Sequence, residues 1–324
     1  MNMVLQIQKK DVSLEEPPTA DDWRFFDFSK TTLEQYFLRN LEFKINLLQL
    51  ILMPLIDVKN LTKSFKIYKK EPGLGGALKS LFSRKYEDKI AVNDVSFSIE
   101  EGELIGFIGP NGAGKTTTLK MLSGLLYPSG GSVSVLGYKP FDRKNEFLKQ
   151  ISLVMGQKNQ LWWDLPPMDT FLLNKEIYEI SDADFKSRVE ELSELLDVKD
   201  ILNVQVRKLS LGQRMKCELM AALLHHPKIL FLDEPTIGLD VVVQQKLRDF
   251  IKEYNIKYKA TILLTSHYMR DVKHLCKRVV VINYGQIIYD GNLDNLMKEY
   301  AKKGDADVDD VIRRFFQHKR DHKS

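Results

Sequence analysis

Cysteine is scarce: Cys217 and Cys276 are the only two in 324 residues, and they give neither a disulfide framework nor metal-ligand spacing. Both fall in segments that read as helical, as structural thiols of a reducing cytosol do. Long apolar runs are missing as well. The most hydrophobic stretch, Ile45 to Ile56, is broken by Asn46, Gln49 and Pro54 and is too short to cross a bilayer. The first residues carry acids and aromatics where a signal peptide has its apolar region, so no leader is read and the chain is expected to be soluble by itself. Neither sign of charge is in excess: 48 Lys+Arg against 44 Asp+Glu leave a net +4 and a pI of about 8.7. The two signs are interspersed, which gives no basic face for nucleic acid, and no nucleic-acid partner is expected. There is no internal repeat.

Against these absences stands one dense motif. Gly109-Pro110-Asn111-Gly112-Ala113-Gly114-Lys115-Thr116-Thr117 is a complete G-x-x-x-x-G-K-[ST] phosphate loop. It lies between an apolar strand, Glu103 to Ile108, and a helical pattern from Thr117 to Leu125, the context the motif requires. Gly109, Gly112 and Gly114 are expected to turn with φ > 0 and bring backbone N–H groups to the β-phosphate at a helix N-terminus. Lys115 is expected to hold the β- and γ-phosphates, and Thr116 to ligate Mg²⁺.

Gly131 to Leu136 and Ile151 to Met155 read as strands, and the short apolar runs Ile229 to Leu232, Thr261 to Leu264 and Val279 to Ile282 alternate with helical segments. That alternation predicts an α/β fold with a parallel sheet covered on both faces. Leu55 to Lys59, Ser64 to Tyr68 and Ile90 to Ile99 alternate as antiparallel strands beside it. Between them, Lys69 to Lys89 reads as an inserted basic loop with a short helix. Helical periodicity returns in Thr170 to Tyr178 and Asp182 to Leu196. The boundaries that follow are an N-terminal extension over 1–54, a catalytic domain over 55–292 with a helical subdomain over 158–220, and a helical appendix over 293–324. Two readings of the extension stand: an added regulatory or membrane-surface helix, or translation that begins at Met53.

Asp233 and Glu234 end the fully apolar Ile229–Leu232 run. Carboxylates there are costly unless paired or metal-bound. Asp233 is expected to help hold Mg²⁺ through its water shell, and Glu234 to orient or deprotonate the attacking water.

Shortly before them, Leu209-Ser210-Leu211-Gly212-Gln213-Arg214 resembles the signature sequence of ATP-binding cassette (ABC) ATPases. Over about residues 55 to 292, Gln157 matches that family's Q-loop glutamine, Pro235 to Asp240 its D-loop, and His267 its switch histidine. The resemblance implies a phosphate-loop NTPase (RecA-like) core with an antiparallel β subdomain and an α-helical subdomain. It also implies ATP and Mg²⁺ as cofactors. Gln157 would complete the Mg²⁺ and water shell and His267 would hydrogen-bond the γ-phosphate. Ser210, Gly212 and Gln213, with Asp240, would meet the nucleotide of an opposite subunit, so that two domains sandwich two nucleotides. Leu211 stands where the family usually has glycine, and leucine would be strained there if the position needs φ > 0. An aromatic residue should stack on adenine; Phe65 and Tyr86 both qualify. Trp162 and Trp163, in a Pro-flanked loop, read as partner-docking residues, with core packing as the alternative. The implied protein is a cytoplasmic ATPase subunit, a homodimer or heterodimer, held on the inner face of the cell membrane by integral membrane permease subunits and driving export. The competing class is a soluble ABC ATPase acting on ribosomes or DNA.

Overall fold

The structure is a computed structural model describing residues 54–68, 86–266, 268–300, 311–312 and 314–315. The expected N-terminal extension, the inserted loop helix, His267 and most of the C-terminal appendix lie outside the described residues.

Two sheets organise what is described. A three-stranded antiparallel sheet, order β2-β1-β4, joins β1 (Ile56–Tyr68), β2 (Tyr86–Ile99) and β4 (Gly130–Val135). A six-stranded sheet has the order β5-β6-β7-β3-β8-β9. Its strands are β3 (Leu104–Ile108), β5 (Ile151–Met155), β6 (Ile229–Asp233), β7 (Thr261–Thr265), β8 (Arg278–Asn283) and β9 (Gln286–Asn292). All pairs in it are parallel except β8 with β9. The helices are α1 (Lys115–Leu122), α2 (Asn145–Leu148), α3 (Pro167–Ile177), α4 (Asp182–Leu195), α5 (Leu211–Leu223), α6 (Val241–Tyr258), α7 (Met269–Leu275) and α8 (Leu293–Tyr300).

Side chains alternate between the two faces of a strand, and both faces here are dry. Leu230 and Leu232 of β6, Ile262 and Leu264 of β7, and Val279 and Val281 of β8 enter one hydrophobic cluster. Ile229, Phe231, Leu263, Val280 and Ile282 enter the other. A sheet buried on both faces needs apolar side chains at every position, which is why these strands read as unbroken runs.

Two expectations change. The first two segments are one strand, β1, whose register with β2 shifts between Val58 and Leu61, again before Lys63, and again before Ser64. Asn60 takes φ of 50° at the first of these irregularities, and that bulge breaks the alternation by which the sequence read two strands. β9 was not expected, because Gln286–Asn292 is an exposed-to-intermediate edge with no buried face to pattern it.

The helical segment inserted after β5 carries its own start signals. Pro167 opens α3. Ser181 caps α4 by accepting from Asp184 N, and Ser210 caps α5 in a full capping box with Gln213.

Candidate active site

The segments that leave the carboxyl ends of β3, β5 and β6 meet at one cleft of about 670 Å³. Its lining includes Asn111, Gly112, Gly114, Lys115, Thr116 and Thr117 of the phosphate loop. Gln157 and Glu234 close the far side, and Phe65 stands on the β1 rim. Ligands of open α/β sheets sit at such strand ends.

The loop is shaped by its glycines in two different ways. Gly112 and Gly114 have φ of 78° and 109°, as expected. Gly109 does not turn with positive φ; its smallness serves close packing instead, since a Cβ there would lie 2.1 Å from the Ile282 carbonyl oxygen. No side chain caps α1, so its first N–H groups face the cleft with the positive end of the helix dipole. Lys115 Nζ donates to the carbonyls of Gly109 at 2.7 Å and Pro110 at 3.1 Å. Burial lowers the pKa of Lys115, while the carboxylates of Glu234 and Asp233 act in the opposite direction. The lysine is therefore a cation held in a half-desolvated cradle, where an anion gains most.

Opposite the loop, Thr116 Oγ1 donates to Asp233 Oδ1 at 3.1 Å, and Thr265 Oγ1 donates to the same oxygen at 2.7 Å. Among the described residues no group of three or more His, Cys, Asp or Glu converges. One hydroxyl beside one carboxylate is the sparse oxygen set of a Mg²⁺ that keeps most of its waters and takes phosphate oxygens, so the residues fit that ion. Glu234 is held differently. Its N–H donates to the Thr265 carbonyl and hydroxyl at 3.0 and 3.1 Å, and its φ of 56° is rare for a non-glycine residue. Gln157 Nε2 donates to Glu234 Oε2 at 3.0 Å. Gly156 lets these strands meet, since a Cβ on it would sit 2.1 Å from the Glu234 carbonyl oxygen. Thr265 was not singled out in the sequence. A hydroxyl at the end of the apolar Ile262–Leu264 run was the available signal.

Phe65 lines the cleft and is covered on one side by Lys63 Nζ at 5.2 Å from the ring centroid. Tyr86 pairs with Tyr68, three residues beyond Phe65 at the end of the β1–β2 ladder, and is not part of the lining. The signature residues are elsewhere too. Ser210, Gly212 and Gln213 form the start of α5, and Asp240 caps α6 by accepting from Val242 and Val243 N–H at 3.0 Å each; none lines this cleft. Gly212 packs on Val243, whose methyls would come within 3.0 and 3.1 Å of a Cβ. Leu211 is simply the first helical residue and is not among the residues with positive φ, so the expected strain is absent.

The ABC transporter family model matches residues 92–237, from β2 through the loop that follows Glu234. The ABC transporter ATP-binding protein NatA of Bacillus subtilis is 37% identical over 218 residues, covering 66% of this chain and 88% of that protein. The Nod factor export ATP-binding protein I of Burkholderia orbicola is 36% identical over 208 residues, 64% of this chain and 68% of that protein. A solved ATP-binding subunit of an ABC transporter superposes with a TM-score of 0.65 at 25% identity, over 80% of this chain and 98% of its own. The chain belongs to the ABC transporter family, as one of its ATP-binding proteins.

Proposed function

We propose that this chain binds Mg·ATP in the Phe65–Lys115–Glu234 cleft and hydrolyses it between two copies, driving a separate membrane permease in the export direction. The observation that carries the reading is one cleft lined by Lys115, Thr116, Gln157 and Glu234, with Asp233 hydrogen-bonded to Thr116. On this reading Phe65 stacks the adenine, a contact worth about 1–3 kcal/mol. The glycine-loop N–H groups and Lys115 take the β- and γ-phosphates. Thr116 and Asp233 hold Mg²⁺, which when bound offsets the phosphate charge. Gln157 orients Glu234 through their hydrogen bond, and Glu234 accepts the proton of the attacking water, a role worth about 10²–10⁴ in rate. His267 follows β7 closely in sequence and is assigned the γ-phosphate.

Ser210, Gly212 and Gln213 lie at the N-terminus of α5, outside the cleft of their own chain. Their polar cap and helix dipole suit the γ-phosphate of a second copy, with Asp240 at the same junction. The docking reading rests on exposure: Trp162 and Trp163 are 54% and 49% exposed, not core. Beside them runs a groove of about 520 Å³ lined by Leu125, Leu161, Thr170, Asn174, Ile177 and Tyr178, among others. Its size and mixed lining suit a short helix of the permease. No described helix is long and apolar enough to cross a membrane, so membrane attachment is assigned to that permease, on the cytoplasmic face. The export direction follows the relatives whose names include export. The catalytic domain is assigned to 55–292, with the helical subdomain at 158–220 and an appendix at 293–324.

The test is ATP hydrolysis by the full chain. The wild type should release phosphate, and Lys115→Ala should abolish both nucleotide binding and turnover. Unchanged hydrolysis by Lys115→Ala would contradict the assignment of the cleft.

A further inference from the structure

The segment from Gln157 to Leu165 leaves the active site and is tied down at its start to Glu234, in its middle to α5, and at its end to the Val206–Lys208 turn that precedes α5. At its start, Gln157 holds Glu234. In its middle, the N–H groups of Gln160 and Leu161 both donate to Glu218 Oε1, at 2.8 and 3.3 Å. At its end, Arg207 N–H donates to the Trp163 carbonyl and Val206 N–H to the Leu165 carbonyl, each at 3.0 Å. The Arg214 guanidinium lies 5.6 Å from the Trp163 ring centroid.

These ties differ in weight. The Arg207–Asp164 ion pair is at the surface, with side chains 49% and 71% exposed, and exposed pairs contribute little. Glu218 is 2% exposed. It lies about two turns along α5 from Ser210, between the fully buried Cys217 and Leu219. Burial pushes its pKa up and the two amide donors push it down. A carboxylate in such surroundings is costly unless its hydrogen bonds require it. On α5 itself only the Arg214 charge favours the carboxylate, and its hydrogen bonds come from the loop. The loop needs it, because without an acceptor the buried Leu161 N–H would be stranded and the part-buried Gln160 N–H would lose its partner.

We propose that Glu218 is a positioning residue: it fixes the segment leaving Gln157 onto the signature helix, so that the seating of Gln157 beside Glu234 depends on how that segment is anchored to α5. The inference rests on the reading above, in which Glu234 serves this chain's own nucleotide and Ser210 serves the nucleotide of a second copy. Glu218 touches neither nucleotide. Its effect is on the placement of Gln157, through the segment it anchors. Misplacement by about 1 Å through such a support is enough to cost about a hundredfold in rate.

The experiment measures kcat and KM for Mg·ATP on the full chain, with a urea midpoint for each variant. Glu218→Gln keeps the acceptor and the volume and should hold kcat within about twofold of wild type. Glu218→Met keeps the volume but removes the acceptor, and should lower kcat by about tenfold with KM near wild type, because Lys115, Thr116 and Phe65 are untouched. Should the methionine variant fail to fold, Glu218→Asp carries the same test, since it withdraws the carboxylate by one methylene; it too should lower kcat and spare KM. A Met or Asp variant that is less stable yet turns over at the wild-type rate would overturn the proposal, leaving Glu218 a purely structural group. A glutamine variant as impaired as the methionine one would overturn it as well. A wild-type chain without ATPase activity would instead overturn the reading of the site, and the inference with it.

Discussion

At the scale of single residues, the chemistry is set by which polar groups are buried and what they are given in return. Glu234 sits in a backbone region that costs about 1–3 kcal/mol for a non-glycine, and the two Thr265 acceptors on its N–H hold it there. His225 shows the other side of the same rule. Its Nε2 donates to the Ile151 carbonyl at 3.1 Å, its ring stacks on Tyr178 with centroids 3.8 Å apart, and Nδ1 has no partner. A second proton would be a buried, unpaired charge, so burial lowers the pKa from 6.5 to about 4, with Arg188 and His226 adding to the effect. The folded state thus binds its proton less readily than the unfolded chain. The stabilising contribution is complete above pH 6.5 and is lost as the pH falls towards 4, a loss of roughly 3 kcal/mol. The urea midpoint of the wild type should fall relative to that of His225→Phe as the pH is lowered through that window, because phenylalanine keeps the stack and has nothing to protonate. Parallel curves would remove His225 from the acid limb.

At the scale of elements, α5 and its cap join stability to function. Ser210 Oγ accepts from Gln213 N at 3.2 Å while Gln213 Oε1 accepts from Ser210 N at 2.9 Å. Ser210→Ala should therefore lower unfolding free energy by about 1 kcal/mol and, on the dimer reading, reduce turnover far more than that loss explains. A parallel urea titration and phosphate-release assay compares the two; turnover that tracks only the stability loss would confine Ser210 to capping. The same helix shows what sequence makes legible. Ser210 and Gln213 announce a helix start, and α3 and α4 begin within a few residues of their expected positions. The central strands were legible because burial on both faces leaves continuous apolar runs, as in Ile229–Asp233. Where the pattern depends on tertiary pairing it fails: the bulge at Asn60 splits one strand into two readings, and β9 is an edge with nothing to alternate against. The phosphate loop, Asp233, Glu234 and Gln157 were legible as motifs. Thr265, Gly156 and Glu218 were not, because each owes its role to a contact made by a strand or loop distant in sequence. The different work of Gly109 was invisible for the same reason, since only the approach of Ile282 reveals it.

At the scale of the whole molecule, nucleotide loop and signature helix belong to one chain but not to one cleft. That separation makes a second copy the natural source of the missing wall. Trp162 and Trp163 are exposed and do not line the Lys115–Glu234 cleft. A Trp162→Ala, Trp163→Ala double variant of the purified chain should keep its basal ATPase rate within about twofold while no longer co-purifying with the permease, since aromatic anchors dominate such interfaces. Retained co-purification would move the docking site elsewhere. The claim on which the rest depends is that hydrolysis occurs between two chains. Sedimentation of Glu234→Gln in Mg·ATP tests it directly, because that variant keeps the cradle and loses the general base. The account requires a stable ATP-bound dimer that reverts to monomer when nucleotide is removed. A variant that stays monomeric in saturating Mg·ATP, beside a wild type that hydrolyses ATP as a strict monomer, would contradict it.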